Sequence, residues 1–153
     1  MSVEDVLELN RLAYRYAAAV DALDEPGFLD VFHPDARLRV YHPEQDEPFV
    51  DLDGHAQIGG VLPQMRQMYR RTAHLMTNHL VDLDGDTGSG TLLCTARHLW
   101  KDPADANVLV VVIRYLDRYA QRQGAWRILD RQIRFLWSER DLMVDSGLTA
   151  APL

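Results

Sequence analysis

Residues 72–100 have the sequence TAHLMTNHLVDLDGDTGSGTLLCTARHLW, in which two long extended segments flank the turn Asp84-Gly85-Asp86. Extended segments joined by a short turn predict an antiparallel hairpin. Two further turns, Asp102-Pro103-Ala104-Asp105 and Gln123-Gly124, separate two more extended segments. The sequence therefore predicts four consecutive antiparallel strands, at Thr72–Leu83, Thr87–Trp100, Val108–Gln121 and Ala125–Trp137.

Helices are predicted before this meander. Apolar residues recur at spacings of three and four from Ser2 to Val20, and Ser2 with Asp5 has the pattern of a capping box. A second, short helix is predicted after Asp24, with Pro26 in its first turn, and a third from Gly54 to Arg71. Two short strands complete the pattern, at Ala36–Tyr41 and Phe49–Leu52. Helices gathered before an antiparallel sheet predict an α+β domain.

Composition limits the class of protein. With 153 residues, 47% hydrophobic and 25% charged, the chain is predicted to form one globular domain, 1–153. The net charge of −7 argues against a nucleic-acid partner. No apolar run reaches the ~20 residues of a membrane span, and the first residues lack the pattern of a signal peptide. We therefore expect a cytoplasmic protein with no membrane partner.

Two segments of the predicted sheet, Val108–Ile113 and Ile133–Trp137, are apolar at consecutive positions and hence on both faces. An antiparallel sheet with one solvated face alternates apolar and polar residues. We therefore predict that helices cover one face and a second subunit covers the other, giving a homodimer or homotrimer. The residues expected on the outer face are Val110, Val112, Ile133, Phe135 and Trp137.

The pairing of the hairpin decides where its histidines lie. A turn centred on Gly85 places His74 opposite Ala96, and a turn centred on Asp86 places it opposite His98. Either pairing puts His74 and His98 on the same face, within about 5–8 Å. A pairing shifted by one residue would put His98 on the far face. The favourable pairings also place Asn78 beside His74, in a predicted pocket with mixed apolar and polar walls.

A metal site is not predicted. His74 and His79 are five residues apart on one strand, so they are expected on opposite faces. The single cysteine, Cys94, excludes a cysteine-based zinc site, and no HExxH or EF-hand pattern is present. We expect that the protein needs neither a metal nor an organic cofactor.

Asp21 lies at the predicted end of the first helix, where a carboxylate meets the negative end of the helix dipole. One interpretation is a solvated turn with Asp24 and Glu25. The other is that Asp21 orients a histidine, as the acid does in acid–base pairs. On dipole grounds, replacing Asp21 with Asn should leave stability unchanged or raise it.

Three stretches carry a family resemblance: RYAAAVDALDEPGFLDVFHPDA at 15–36, TAHLMTNHLVDLDGDTGSG at 72–90 and IRYLDRYAQRQGAWRILDRQIRF at 113–135. They resemble the SnoaL-like branch of the nuclear transport factor 2-like superfamily, over a core of residues 5–137 followed by a tail, 138–153. The resemblance implies an α+β conical barrel, with N-terminal helices across a curved, mostly antiparallel sheet that encloses a deep hydrophobic pocket.

Within that superfamily the chain is most similar to the group of scytalone dehydratase and hexachlorocyclohexane dehydrochlorinase. These enzymes use an Asp–His dyad without a cofactor, and the resemblance places Asp21 and His74 in those positions. His98 and Arg131 match further polar residues of one or the other enzyme. Tyr16 stands where the dehydrochlorinase has a lysine, and Tyr41 is a loose match to a dehydratase tyrosine.

The first functional hypothesis is therefore a lyase or isomerase that acts on a small hydrophobic cyclic molecule. His74 would accept a proton and Asp21 would orient its ring. The residues expected to bind substrate are Tyr16, Tyr41, Asn78, His98 and Arg131. The alternatives are a non-catalytic ligand-binding or assembly module of the same fold, or a protein like the β subunit of a ring-hydroxylating dioxygenase.

Overall fold

The computed structural model describes residues 2–102 and 107–142. These residues form four helices and six strands, in the predicted order except that two helices stand where one was predicted, and the helices lie in the first half of the chain. The helices are α1 (Val3–Ala22), α2 (Glu25–Asp30), α3 (Gly54–Ile58) and α4 (Val61–Met68). The strands are β1 (Phe32–Tyr41), β2 (Val50–Asp53), β3 (Tyr69–Asp84), β4 (Thr87–Trp100), β5 (Asn107–Arg122) and β6 (Ala125–Leu142).

The ends of the helices follow local sequence rules. Ser2 and Asp5 form the predicted capping box, and Asp24 accepts a hydrogen bond from the first turn of α2. After α1, Leu23 adopts a left-handed conformation with φ of 54°, which turns the chain sharply toward α2. The predicted third helix is two short helices, because the chain is interrupted at Gly59-Gly60 and α4 starts anew with Pro63 in its first turn.

The six strands form one mostly antiparallel sheet in the order β2-β1-β6-β5-β4-β3, in which β1 and β6 are parallel. The sheet is curved but open, since the first and last strands are not paired with each other, so the barrel suggested by the family resemblance is not closed. Helix α1 packs across the concave face, against β3 and β6. None of the described helices is long and apolar enough to span a membrane.

The hairpin of β3 and β4 has the pairing in which His74 lies opposite Ala96, as one of the favourable registers predicts. This pairing does not come from the turn alone, as was predicted. The turn itself pairs Asp84 with Thr87, which is the unfavourable register. A β-bulge then places both Asn78 and His79 opposite Leu92 and restores the favourable one. Asn78 has a φ of 51°, a conformation that asparagine tolerates better than most residues.

The bulge corrects two predictions about this strand. Asn78 was expected to share the face of His74, but it is exposed and lies at the bulge. His79 was expected on the opposite face from His74, but the extra residue turns it inward. There its ring nitrogens contact Asn10 Oδ1 of α1 at 3.0 Å and the Tyr119 hydroxyl at 3.1 Å. A strict alternation of faces fails because the bulge adds one residue to one strand only.

The prediction for the outer face of the sheet is also partly wrong. Ile133 and Phe135 face the interior, where they line the cavity described below. Val112 and Trp137 pair with each other on the outer face, but this face also carries charged side chains, and Arg114 and Arg134 lie directly opposite each other on it. Strand β6 continues to Leu142, so the predicted tail begins as strand, and its remainder lies outside the described residues.

Candidate active site

A cavity of about 420 Å³ opens between the concave face of the sheet and the helices. Most of its wall is aliphatic or aromatic. Its polar groups are few, and the lining residues in the described part of the chain include no Asp, Glu, Lys or Arg. The residues that line it are Tyr16, Val20, Leu38, Val40, Phe49, Val50, Leu52, Gln57, Gly60, Val61, Gln64, Met65, Met68, Tyr69, His74, His98, Leu109, Val111, Ile113, Tyr115, Ile133 and Phe135.

His74 is a polar group of this wall, and Asp21, which is not itself among the lining residues, is hydrogen-bonded to it. His74 Nδ1 lies 2.7 Å from Asp21 Oδ1, and the His74 backbone N–H donates to Asp21 Oδ2 at 3.0 Å. The Thr72 hydroxyl donates to Asp21 Oδ1 at 2.8 Å, which fixes the carboxylate further. The His74 side chain is 5% exposed and that of Asp21 is 29% exposed. One carboxylate thus joins the end of α1 to two residues on β3.

These contacts determine which ring nitrogen of His74 carries the proton. Burial raises the pKa of Asp21, but the hydrogen bonds from the His74 side chain, the His74 backbone and Thr72 outweigh burial, and the pKa is lowered. Asp21 is therefore ionised at neutral pH and can only accept hydrogen bonds. Nδ1 of His74 must then carry the proton in the neutral ring, and Nε2 is left with the lone pair that can take up another.

His98 lies beside this pair. Its ring is 5.6 Å from that of His74, at 86° to it, and 4.6 Å from the ring of Tyr69. Burial, and then the proximity of His74, lowers the pKa of His98 to about 4, so this ring is neutral at pH 7. Its Nδ1 is buried and has no hydrogen-bond partner within the described residues. The site therefore contains a second, uncharged imidazole with an unused nitrogen.

Arg131 lies behind the cavity rather than in its wall. It is fully buried, and its Nε and Nη2 donate to Asp117 Oδ1 and Oδ2 at 2.8 and 2.7 Å. Its guanidinium carbon is 4.2 Å from the ring centroid of Tyr16 and 4.5 Å from that of Tyr115, two residues that do line the cavity. Tyr115 and Asp117 are not among the predicted site residues, although both lie in the stretch 113–135 that carries the family resemblance.

Two other predicted site residues lie elsewhere. Tyr41 is buried on the opposite face of β1, where its ring packs under Arg134 and its hydroxyl accepts from Arg39. It is on that face because Leu38 and Val40 point into the cavity, and side chains alternate along a strand. Asn78 is at the exposed bulge. The structure brings together Tyr16, Asp21, His74 and His98, with Arg131 behind them.

No three His, Cys, Asp or Glu side chains among residues 2–102 and 107–142 come together in a way that could hold a metal ion. The expectation that no metal is bound rested partly on placing His74 and His79 on opposite faces of the sheet. That reason is wrong. Both face inward, but His79 is engaged by Asn10 and Tyr119 instead.

The model of the SnoaL-like domain family matches residues 1–132 of this sequence. The chain belongs to the SnoaL-like family. An uncharacterized protein of Mycobacterium tuberculosis (strain H37Rv) is 26% identical over 136 residues, with 84% of each chain covered. The resemblance seen in the sequence is therefore confirmed for the family.

Solved structures have the same fold. A type 2 hexachlorocyclohexane dehydrochlorinase aligns with a TM-score of 0.81 at 15% identity, covering 95% of this chain and 96% of the other. A protein of Novosphingobium aromaticivorans, provisionally named a scytalone dehydratase, aligns with a TM-score of 0.79 at 17% identity. The alignment covers 93% of this chain and 90% of the other. Another protein from that bacterium, provisionally named an aromatic ring hydroxylase, aligns with a TM-score of 0.78 at 26% identity. The alignment covers 95% of this chain and 97% of the other.

Proposed function

We propose that this protein is a cofactor-independent acid–base enzyme that acts on a small hydrophobic cyclic molecule, by elimination or isomerisation. The observation that carries the proposal is the 2.7 Å contact between Asp21 and His74, a histidine that lines an apolar cavity. A histidine whose Nδ1 is held by an ionised carboxylate is a general base at Nε2. The dehydratase and dehydrochlorinase names of two structural neighbours are consistent with this chemistry.

In the proposed reaction, His74 Nε2 removes a proton from a carbon that a neighbouring carbonyl or leaving group makes acidic. The electron pair of the broken C–H bond then either expels the leaving group or delocalises onto oxygen. Asp21 holds the imidazole in the reactive tautomer and stabilises the imidazolium that forms. Neutral His98 lies close enough to His74 to contact the same ligand. The apolar wall excludes water from the reacting carbon.

The test is proton exchange at carbon, which requires no knowledge of the product. Cyclic ketones and halogenated rings are incubated with the protein in D₂O, and loss of the C–H signal is followed by NMR. We expect exchange or elimination with wild-type protein and a decrease of about 10²- to 10⁴-fold for His74→Gln. His55→Gln is the matched control, because His55 is not among the residues that line the cavity and its Nε2 is hydrogen-bonded to the backbone carbonyl of Phe32.

A His74→Gln protein that exchanges as fast as wild type would refute the mechanism. The binding-module alternative gives a different pattern. Wild type and His74→Gln would then bind the same cyclic molecules with similar affinity, and neither protein would exchange protons with them.

A further inference from the structure

A row of polar contacts runs from α1 through the β-bulge to β5, and none of its side chains lines the cavity. Asn10 Nδ2 donates to the Val6 carbonyl at 2.9 Å, and Asn10 Oδ1 lies 3.0 Å from His79 Nδ1. His79 Nε2 lies 3.1 Å from the Tyr119 hydroxyl, which is 2.8 Å from Asp117 Oδ2. Four short contacts therefore connect a backbone carbonyl at one end to a carboxylate at the other.

Both ends of this row can only accept hydrogen bonds. The Val6 carbonyl has no hydrogen to give, and Arg131 donates to both oxygens of Asp117, which holds that carboxylate in its ionised form. Four contacts require four hydrogens. The amide, a neutral imidazole and the phenol each place one hydrogen in the row, so one contact lacks its hydrogen whichever way Asn10 is turned. An imidazolium supplies the missing hydrogen, because both of its nitrogens donate.

The missing hydrogen matters because the inner part of the row is closed to water. Tyr119 and Asp117 are 2% and 3% exposed, and a buried polar atom without a partner costs free energy. While His79 is neutral, its Nε2 and Asp117 Oδ2 compete for the one hydrogen of the Tyr119 hydroxyl. Once His79 is protonated, Nε2 donates to that hydroxyl and the hydroxyl donates to Asp117. The protonated row thus has a single arrangement in which every contact has its hydrogen.

Burial and two charges oppose or favour the uptake of this proton. Burial lowers the pKa of the half-buried His79, the negative charge of Asp117 raises it, and the positive charge of Arg131 lowers it. Helix α1 faces the ring with the uncharged amide of Asn10, and β4 faces it with Gly90, where a Cβ atom would lie 3.2 Å from Nε2. The net pKa is lowered, so His79 is neutral at pH 7 and takes up its proton in acid.

We propose that His79 is a proton switch: uptake of one proton completes the row from α1 to β5 and turns the Tyr119 hydroxyl from His79 toward Asp117. The proton enters from solvent and remains on the imidazole, so no other group is ionised. Asp117 is the partner of Arg131, whose guanidinium packs against the rings of two residues of the cavity wall. The switch therefore acts from behind the cavity. It does not depend on the reaction proposed there.

The test is an NMR titration of the protein labelled with ¹⁵N in its histidine and arginine side chains, with no ligand, from about pH 8 to about pH 5. The ring signals of His79 are identified by their loss in His79→Gln. We expect one ring N–H of His79 at the alkaline end and two below the midpoint, because both nitrogens then donate to protein oxygens. The Arg131 Nε–H signal should shift with the same midpoint.

Two variants each remove one acceptor of the imidazolium. Tyr119→Phe leaves Nε2 without a partner, and Asn10→Leu does the same to Nδ1. Each should lower the midpoint of His79 by about one pH unit, a tenfold loss of proton affinity. The neutral ring still makes its one donated hydrogen bond in either variant, whereas the imidazolium is left with an unpaired N–H. Tyr41→Phe is the matched control, since it removes a buried hydroxyl on the outer face and should leave the midpoint unchanged.

A His79 ring that stays neutral until the protein unfolds would overturn the proposal. A midpoint that neither Tyr119→Phe nor Asn10→Leu lowers would also overturn it, and so would an Arg131 signal that does not move with the midpoint. If Tyr119→Phe does not fold, the wild-type titration and Asn10→Leu still decide. Proton exchange by His74 is a separate measurement, so either proposal can fail while the other stands.

Discussion

The rings of His74 and His98 lie 5.6 Å apart at nearly a right angle, on the same face of the sheet, only because β3 carries one extra residue. If the pairing of Asp84 with Thr87 continued unbroken, His98 would lie opposite Ala73 and point away from the cavity. The bulge at Asn78 and His79 shifts the pairing by one and brings His98 inward. Both imidazoles of the proposed site thus depend on one irregularity in the hairpin.

Replacing Asn78 should show how far the bulge depends on its left-handed residue. Asn78→Val places a β-branched side chain at a φ of 51°, and we expect the free energy of unfolding to fall by about 1–2 kcal/mol. Asn78→Gly should be close to wild type, since glycine adopts this conformation freely. Leu75→Val, at an exposed position of the same strand outside the bulge, is the control. Urea unfolding measures all three, and an Asn78→Val protein as stable as wild type would contradict the prediction.

Asp21→Asn should destabilise the protein, contrary to the expectation from the helix dipole alone. The carboxylate accepts three hydrogen bonds from Thr72 and His74. An amide cannot accept all three, so we expect a loss of about 1–3 kcal/mol at pH 7, measured by urea unfolding.

This difference should depend on pH in a definite direction. The pKa of Asp21 is lowered in the folded protein, so its contribution is present above the unfolded pKa of about 3.9 and is lost as the pH falls below it. Wild type and Asp21→Asn should therefore converge in acid. Asp46→Asn, at an exposed acid of the loop before β2, is the control, and its free energy of unfolding should match that of wild type at every pH. Equal stability of Asp21→Asn and wild type at pH 7 would mean that the dipole dominates.

His98 should make the protein acid-sensitive. Its folded pKa of about 4 lies below the unfolded value of about 6.5, so only the unfolded chain takes up this proton between the two values. The stability contributed by neutral His98 is complete above about pH 6.5 and falls by about 3 kcal/mol as the pH drops to about 4. Unfolding free energies measured across this range should decline less steeply for His98→Gln. His42→Gln, at an exposed ring, should keep the wild-type slope.

We also propose that the chain forms a dimer or trimer through the outer face of the sheet, near Trp137. Trp137 is 54% exposed and lies opposite Val112. Exposed apolar surface on a sheet is typical of an interface. Light scattering should give a dimer or trimer for wild type, and Trp137→Ser should raise the monomer fraction. Tyr14→Ser, which removes an exposed aromatic residue of α1, should not. A wild-type monomer at micromolar concentration would refute the proposal.

The sequence predicted most of the fold because the relevant rules are local. The capping box of Ser2 and Asp5, the cap at Asp24 and the turn at Gly85 each depend on a few adjacent residues, and the structure has each of them. The family resemblance placed Asp21 and His74 together, and they are hydrogen-bonded. Local patterns determine where elements begin and end, since they act before any distant contact forms.

The tertiary structure alone decided which side chains share the cavity. Alternation along β3 predicted that Asn78 would join His74 and that His79 would not, and the bulge reversed both. Tyr41 turned outward, and Arg131 was drawn behind the wall by Asp117, a partner fourteen residues away in sequence. A bulge is stabilised by the packing of the whole sheet, and a buried ion pair by contacts between strands. Neither the bulge nor the ion pair produces a periodic pattern in the sequence.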